Sequence, residues 1–159
     1  MTVHVVTPED PYLPVAGEVR VFLGGTIDLG NSEDWQSRII NDIRERVSAG
    51  TNVALFNPRR ETWYGEPVTS NPEFVRQVEW EMSNLDAADI IAMVLLGSSK
   101  SPVSLMELGL HARTSSVVVY CEDGFWRRGN VDMVCERYGV RQVATYAELL
   151  DAVMERICI

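Results

Sequence analysis

The eight residues from Asp89 to Leu96 constrain the fold more than any others in the chain. One aspartate is followed by seven consecutive apolar residues, Ile-Ile-Ala-Met-Val-Leu-Leu. A strand with one wet face alternates apolar and polar residues, whereas a short unbroken apolar run is the pattern of a strand buried on both faces. Such a strand needs a covering layer on each side, and in a parallel sheet those layers are helices. No apolar run in the chain approaches the ~20 residues that a membrane helix requires.

The remaining segments supply those layers. Val19 to Leu23 reads as a first strand, ending on Gly24-Gly25-Thr26. A helix follows from about Glu33 to Val47, capped by Asn31 or Ser32, with Trp35, Ile39, Ile40 and Ile43 at helical spacing and Gly50 closing it. Val53 to Phe56 is the second strand. Asn57 to Ser70 shows no period, and connections of that length are usually functional or mobile. Asn71-Pro72 begins a helix running to about Leu85, with Pro in the first turn where its missing N–H costs nothing. After the third strand, Ser101-Pro102 opens a helix to about Arg113. Ser116 to Tyr120 is a fourth strand, and a helix from Asn130 to Tyr138 is closed by Gly139. A short fifth strand spans Arg141 to Ala144, and Thr145 with Glu148 forms the capping box of a last helix. Strict alternation with right-handed crossovers predicts an α/β fold: a three-layer, doubly wound, five-stranded parallel sheet, flavodoxin-like. The 159 residues fit a single domain over 1–159, with residues 1–16 as a Pro-rich extended arm in which His4 is loosely held.

Charge and cysteine usage narrow the partners. A formal net charge of −9 repels polyphosphate backbones, so duplex nucleic acid is not an expected partner, while a single nucleotide needs only a few local donors. Cys121, Cys135 and Cys158 are odd in number and lack ligand spacing, as expected of free thiols in a reducing compartment. The N-terminus has no signal-peptide pattern, and the cytoplasm follows. No His/Cys/Asp cluster has metal spacing, so neither metal nor other cofactor is expected.

In doubly wound sheets ligands lie beyond the carboxyl ends of the strands, at the switch point, which singles out the loops after strands one, two and three. Glu107 lies in the helix that begins at the mouth of the third strand. Its neighbours along the helix include Val103, Ser104, Leu110 and His111, and Leu105, Met106 and Leu108 flank it. A carboxylate so placed is partly desolvated, with a raised pKa. Spacing alone leaves it evenly divided between a structural and a catalytic role. Its position favours attack on an anomeric carbon, storing the sugar as a glycosyl ester. Ser101 and Ser104 stand at the start of the same helix, Ser101 as its cap and both as donors for a sugar hydroxyl or 5′-phosphate. Gly24 and Gly25, with Thr26, admit close approach of backbone to ligand. The P-loop lysine and the full dinucleotide fingerprint are absent, which demotes ATP hydrolysis and hydride transfer. Glu79 and Glu81 lie on the preceding helix; Glu81 is placed to orient a sugar hydroxyl or manage a proton at the leaving base. Asn57, Arg59 and Trp63, with Tyr64 beside it, offer a polar group, a cation and aromatic faces after strand two, though salt-bridged surface arginines are as ordinary a reading.

Several stretches together resemble the nucleoside 2-deoxyribosyltransferase-like proteins. They are Val-Phe-Leu-Gly-Gly-Thr-Ile, Asn-Pro-Arg-Arg, Gln77-Val-Glu-Trp-Glu-Met, Leu85-Asp-Ala-Ala-Asp-Ile-Ile91, and Ser-Pro-Val-Ser-Leu-Met-Glu-Leu-Gly, with Gly124-Phe-Trp-Arg-Arg-Gly-Asn130 beyond. The likeness extends from Val19 to about Tyr138. It implies that Glu107 is the nucleophile and Glu81 the second carboxylate, where the family has Asp. Six residues before the nucleophile the transferases carry Asp, whereas Ser101 matches related hydrolases of deoxynucleoside monophosphates, in which that Ser helps bind phosphate. The resemblance implies N-glycosidic cleavage or exchange on 2′-deoxynucleosides in a homo-oligomer whose neighbouring subunit completes the pocket. The alternatives are a hydrolase of nucleoside 5′-monophosphates, a non-catalytic nucleotide-binding module, and an NAD-cleaving hydrolase.

Overall fold

The computed structural model describes residues 2–158. The apolar run forms β4 (Ile90–Leu95), and all six of its residues are buried. Ala92 and Val94 point into one core, while Ile91, Met93 and Leu95 point into the other. Because both faces are covered, the two-residue period of the strand never shows in its sequence. Asp89, the one polar residue of the run, turns its carboxylate onto the backbone N–H of Arg20 (2.8 Å) on the neighbouring strand.

The sheet is parallel throughout. Its other strands are β1 (Thr2–Val6), β2 (Val19–Gly25), β3 (Asn52–Phe56), β5 (Val117–Cys121) and β6 (Arg141–Val143), in the order β1-β3-β2-β4-β5-β6. From β2 onward this is the expected doubly wound order, with its switch point between β2 and β4. Helices α1 (Trp35–Arg46) and α5 (Tyr146–Ile157) cover one face, with Trp35, Ile39, Ile43, Leu149 and Val153 in its core. Helices α2 (Pro72–Ala87), α3 (Pro102–His111) and α4 (Arg128–Tyr138) cover the other, through Leu85, Leu108 and Val131.

Two local expectations are corrected. The start of the arm is a sixth strand, in register with β3 from Thr2↔Asn52 to Val6↔Phe56, and His4 sits on it as an exposed residue. The β-branched Thr-Val-His-Val-Val suits an edge strand, and β3 would otherwise present an open edge. The cap of α1 is Asp34, whose carboxylate accepts the N–H of Ser37 (3.0 Å). Asn31 and Ser32 are instead tied back onto a 3-10 turn, Asn31 to the carbonyl of Asp28 (3.0 Å) and Ser32 to that of Ile27 (2.8 Å).

The tightest contact between β2 and β4 is at Gly25, whose φ is +126°. A Cβ there would stand 2.0 Å from the carbonyl oxygen of Val94. Gly25→Ala therefore forces the two central strands apart as well as straining φ, and should cost about 3 kcal/mol or more. Urea denaturation should show a lower midpoint for Gly25→Ala. Gly17→Ala (φ +74°, with open space around it) tests the φ effect alone and should cost only about 1 kcal/mol.

Candidate functional site

Beyond the carboxyl ends of β2 and β4 a cavity of about 260 Å³ opens. Gly24 and Gly25 form its floor, α3 contributes Ser104 and Glu107, and α2 contributes Glu81. Trp63 and Tyr64 come from the aperiodic segment after β3, and the turn after β2 adds Ile27, Asp28 and Leu29. The long irregular segment thus forms one wall of the cavity.

Glu107 is 9 % exposed, and its carboxylate takes no hydrogen bond or ion pair from any described residue. Its oxygens open on the cavity. Burial, and then the charge of Glu81, push its pKa up to about 8. Glu81 is raised as well by burial, opposed by a hydrogen bond from the amide of Gln77 (2.7 Å). Gln77 is itself fixed. It donates to the carbonyl of Pro58 (3.2 Å), and its oxygen accepts from Arg60 (3.3 Å), which pairs with Glu9 (2.7 Å). Arg60 thereby turns the amide nitrogen toward Pro58 and Glu81, with one N–H for each.

Ser101 does not cap α3 with its side chain. It stands in the left-handed region (φ +43°, ψ +53°), and its hydroxyl lies 2.6 Å from that of Thr26 and 3.0 Å from that of Ser99. Thr26 already accepts the N–H of Leu96 (3.0 Å), and Ser99 donates to Asp28 (2.7 Å). The hydroxyls therefore form one directional line from the end of β4 to the Asp28 carboxylate. Asp28 and Leu29 are left-handed too, at φ +51° and +53°.

The residues expected at the site divide into two groups. Glu107, Glu81, Gly24, Gly25, Trp63, Ser101 and Ser104 meet at the cavity. Thr26, Asn57 and Arg59 do not line it. Thr26 is buried behind Ser101, its carbonyl gripped by the indole N–H of Trp35 (2.9 Å). Asn57 accepts the backbone N–H of Arg59 (3.0 Å). Arg59 spends its guanidinium on the carbonyls of Gly30 (3.1 Å), Ser32 (2.8 Å) and Glu33 (3.3 Å) and on Gln36 (3.3 Å), so it holds the β2 loop. A Cβ at Gly25 would also meet the carbonyl of Val94, so the strand contact by itself requires glycine there. Tyr64 joins Trp63 on the cavity wall, while Asp28, Ser99 and Gln77 were missed. The one sequence signal was the i, i+4 spacing of Gln77 and Glu81, which lets an amide meet a carboxylate on one helix face.

A second hollow of about 460 Å³ runs between α2 and α3, lined by Phe74, Val78, Met82, Val103, Met106 and Leu110 among others. Glu81 and Glu107 border both spaces, and Met82, Val103, Met106 and Leu110 are exposed. Among the described residues no three His, Cys, Asp or Glu side chains gather as metal ligands, and no helix is long and apolar enough to cross a membrane.

The family described as "Nucleoside 2-deoxyribosyltransferase like" matches residues 18–125. No curated protein matches the chain. Among solved structures, a conserved protein from Enterococcus faecalis V583 superposes with a TM-score of 0.60 at 13% identity, covering 87% of this chain and 99% of the other. At that identity the likeness is one of fold.

The state of Glu107 has a thermodynamic consequence. Its folded pKa of about 8 lies above the ordinary 4.5, so the folded state holds the proton more tightly than the unfolded one. Stability is therefore lost as pH rises from about 4.5 through about 8. Each tenfold change in proton affinity corresponds to about 1.4 kcal/mol, so the loss is on the order of 5 kcal/mol. Glu107→Gln should remove it. The variant is expected to melt higher than wild type at pH 9, with the two converging near pH 5, by thermal denaturation across that range.

Proposed function

The chain belongs to the nucleoside 2-deoxyribosyltransferase-like family, and from that membership and the cavity's geometry we propose that Glu107 is the nucleophile of a retaining N-glycosyl enzyme. One observation carries the reading: a carboxylate nine-tenths buried, without a partner, opens on a cavity at the switch point. A structural carboxylate at that depth would be paired or hydrogen-bonded. This one is left for an atom that the protein does not supply.

The steps follow from the surroundings. An oxygen of Glu107 attacks C1′ of a 2′-deoxynucleoside, and the C1′–N bond breaks with its electron pair passing to the base. A neutral base takes up a proton as it leaves. Glu81, whose proton affinity burial raises, is the group on the cavity wall suited to give it. Gln77 fixes the rotamer of Glu81. The glycosyl ester is then attacked by a second base or by water, and Glu107 is freed. Trp63 and Tyr64, edge to face with centroids 5.8 Å apart, offer the base an aromatic wall. Gly24 and Gly25 leave room for the sugar, with Ser101 and Ser104 as its polar contacts. Thr26, Asn57 and Arg59 act from behind by holding the loops.

The exposed apolar hollow beside Glu81 and Glu107 supports a homo-oligomer, with a second copy of this chain covering α2 and α3. Free cysteines and the acidic surface fit a single cytoplasmic domain.

Base release from 2′-deoxynucleosides, with and without an acceptor base, is the direct assay. Glu107→Ala should lower kcat by about 10³ or more, and Glu81→Gln by about 10². Attack needs the ionised Glu107 and departure of a neutral base needs the proton on Glu81, so kcat/KM should climb with pH as Glu107 ionises and fall where Glu81 loses its proton. If no base is released or exchanged, and Glu107→Ala equals wild type, the reading is wrong. For the assembly, Leu110→Glu is expected to shift the sedimentation coefficient toward the monomer. A wild-type chain that sediments as a monomer at all concentrations rules the oligomer out.

A further inference from the structure

We infer that the cavity is built for N-glycosides whose base carries a positive charge, such as pyridinium or N-alkylpurinium nucleosides, and against 5′-phosphorylated ones. This rests on Glu107 being the nucleophile and names the substrate class of that same site.

Three carboxylates line the cavity: Asp28 from the turn after β2, Glu81 from α2 and Glu107 from α3. Among the described residues no Lys, Arg or His does. The two arginines that follow β3 are turned away, Arg59 into the carbonyls of the β2 loop and Arg60 onto Thr62, Gln77 and Glu9. A phosphate dianion would face three acids with hydroxyls as its side-chain donors, and Pro102, first residue of α3, brings no N–H. A cation meets the opposite. Trp63, Tyr64 and Phe22 present aromatic surface, and rings beside carboxylates are the chemistry that holds delocalised cations. The Asp28 carboxylate receives one hydrogen bond, from Ser99 to a single oxygen, which leaves the other oxygen for a ligand.

The bond changes suit such a base. As C1′–N⁺ breaks, its electron pair neutralises the nitrogen, so the base departs uncharged and no proton donor is needed. The new bond joins C1′ to an oxygen of Glu107. In the second step water attacks C1′, its proton passes to Glu81, the ester bond breaks and the sugar leaves as a hemiacetal. The titratable groups sharing the cavity with Glu107 are Glu81, Asp28 and Tyr64, with His111 one turn along α3 on the side of the α2–α3 hollow. A cation among them favours the ionised Glu107 that attack requires.

The test uses two carbocyclic 2′-deoxynucleoside analogues that cannot be cleaved. One bears a 3-carbamoylpyridinium and the other a benzamide of the same shape. Calorimetric titration of the wild type at pH 8.5 should favour the cation by about tenfold or more, and the ratio should shrink at high salt. Asp28→Asn and Trp63→Leu should each reduce that ratio several-fold, with circular dichroism checking that each variant is folded. Adding a 5′-phosphate to the pyridinium analogue should weaken binding. Equal affinities, tighter binding of the benzamide, or tightening by the phosphate overturns the inference. Base release from neutral and cationic 2′-deoxynucleosides, run in parallel, separates this from the broader reading. Cleavage of neutral substrates without a cation preference overturns the charge selection alone. A binding preference with no cleavage of either class overturns the nucleophile, and with it the N-glycoside assignment.

Discussion

The closeness of β2 and β4 governs everything at the carboxyl end of this sheet. Gly25 lies so near the Val94 carbonyl that no side chain fits between them, and the N–H of Thr26 bonds to that same oxygen at 2.9 Å. Past this seam the two strands diverge to opposite sides, and the gap between their loops becomes the cavity. The side chain of Thr26 continues the seam beyond the last ladder bond, taking the N–H of Leu96 and meeting Ser101. The start of α3, and with it Glu107, is thus indexed to the end of β2 by hydrogen bonds rather than by packing alone.

The surroundings oppose one another in their effects on stability. The two cores, filled by β4 and its neighbours, are ordinary well-packed apolar clusters. The cavity is where strain gathers: three non-glycine residues at positive φ, and two carboxylates whose mutual repulsion is relieved only on the Glu81 side. Such features persist when the structure around them over-determines the geometry. Here that work falls to Arg59, to Trp35 and Gln36 on the carbonyl of Thr26, and to Gln77 between two loops.

What the sequence made legible follows the strength of local signals. The β4 run, the helix periods and the Pro and Gly punctuation placed the elements from β2 onward, and the switch-point rule placed Glu107, Glu81 and the glycines together. The arm was misjudged because three prolines between Pro8 and Pro14 dominate its composition, while the five residues before them are a strand only by virtue of β3. Arg59 looked like a ligand cation because a free arginine and one wrapped in loop carbonyls have the same sequence. Asp28 and Ser99 carry no motif. Asp28 reaches the cavity through a left-handed turn and Ser99 holds its carboxylate, an arrangement set by tertiary contacts rather than by propensity.

The edge strand β1 has a consequence for how the chain assembles. It pairs only with β3, from Thr2 against Asn52 onward, so the first residues of the chain find their place only after β3 exists and has been seated beside β2. The N–H of Asn57, where the cavity's long segment begins, is held by the carbonyl of Val6 at 2.9 Å, and Glu9 anchors Arg60. The segment from β1 to Glu9 therefore braces the outer wall of the cavity: without it, the line from Arg60 through Gln77 to Glu81 lacks its anchor even where the rest of the sheet is complete.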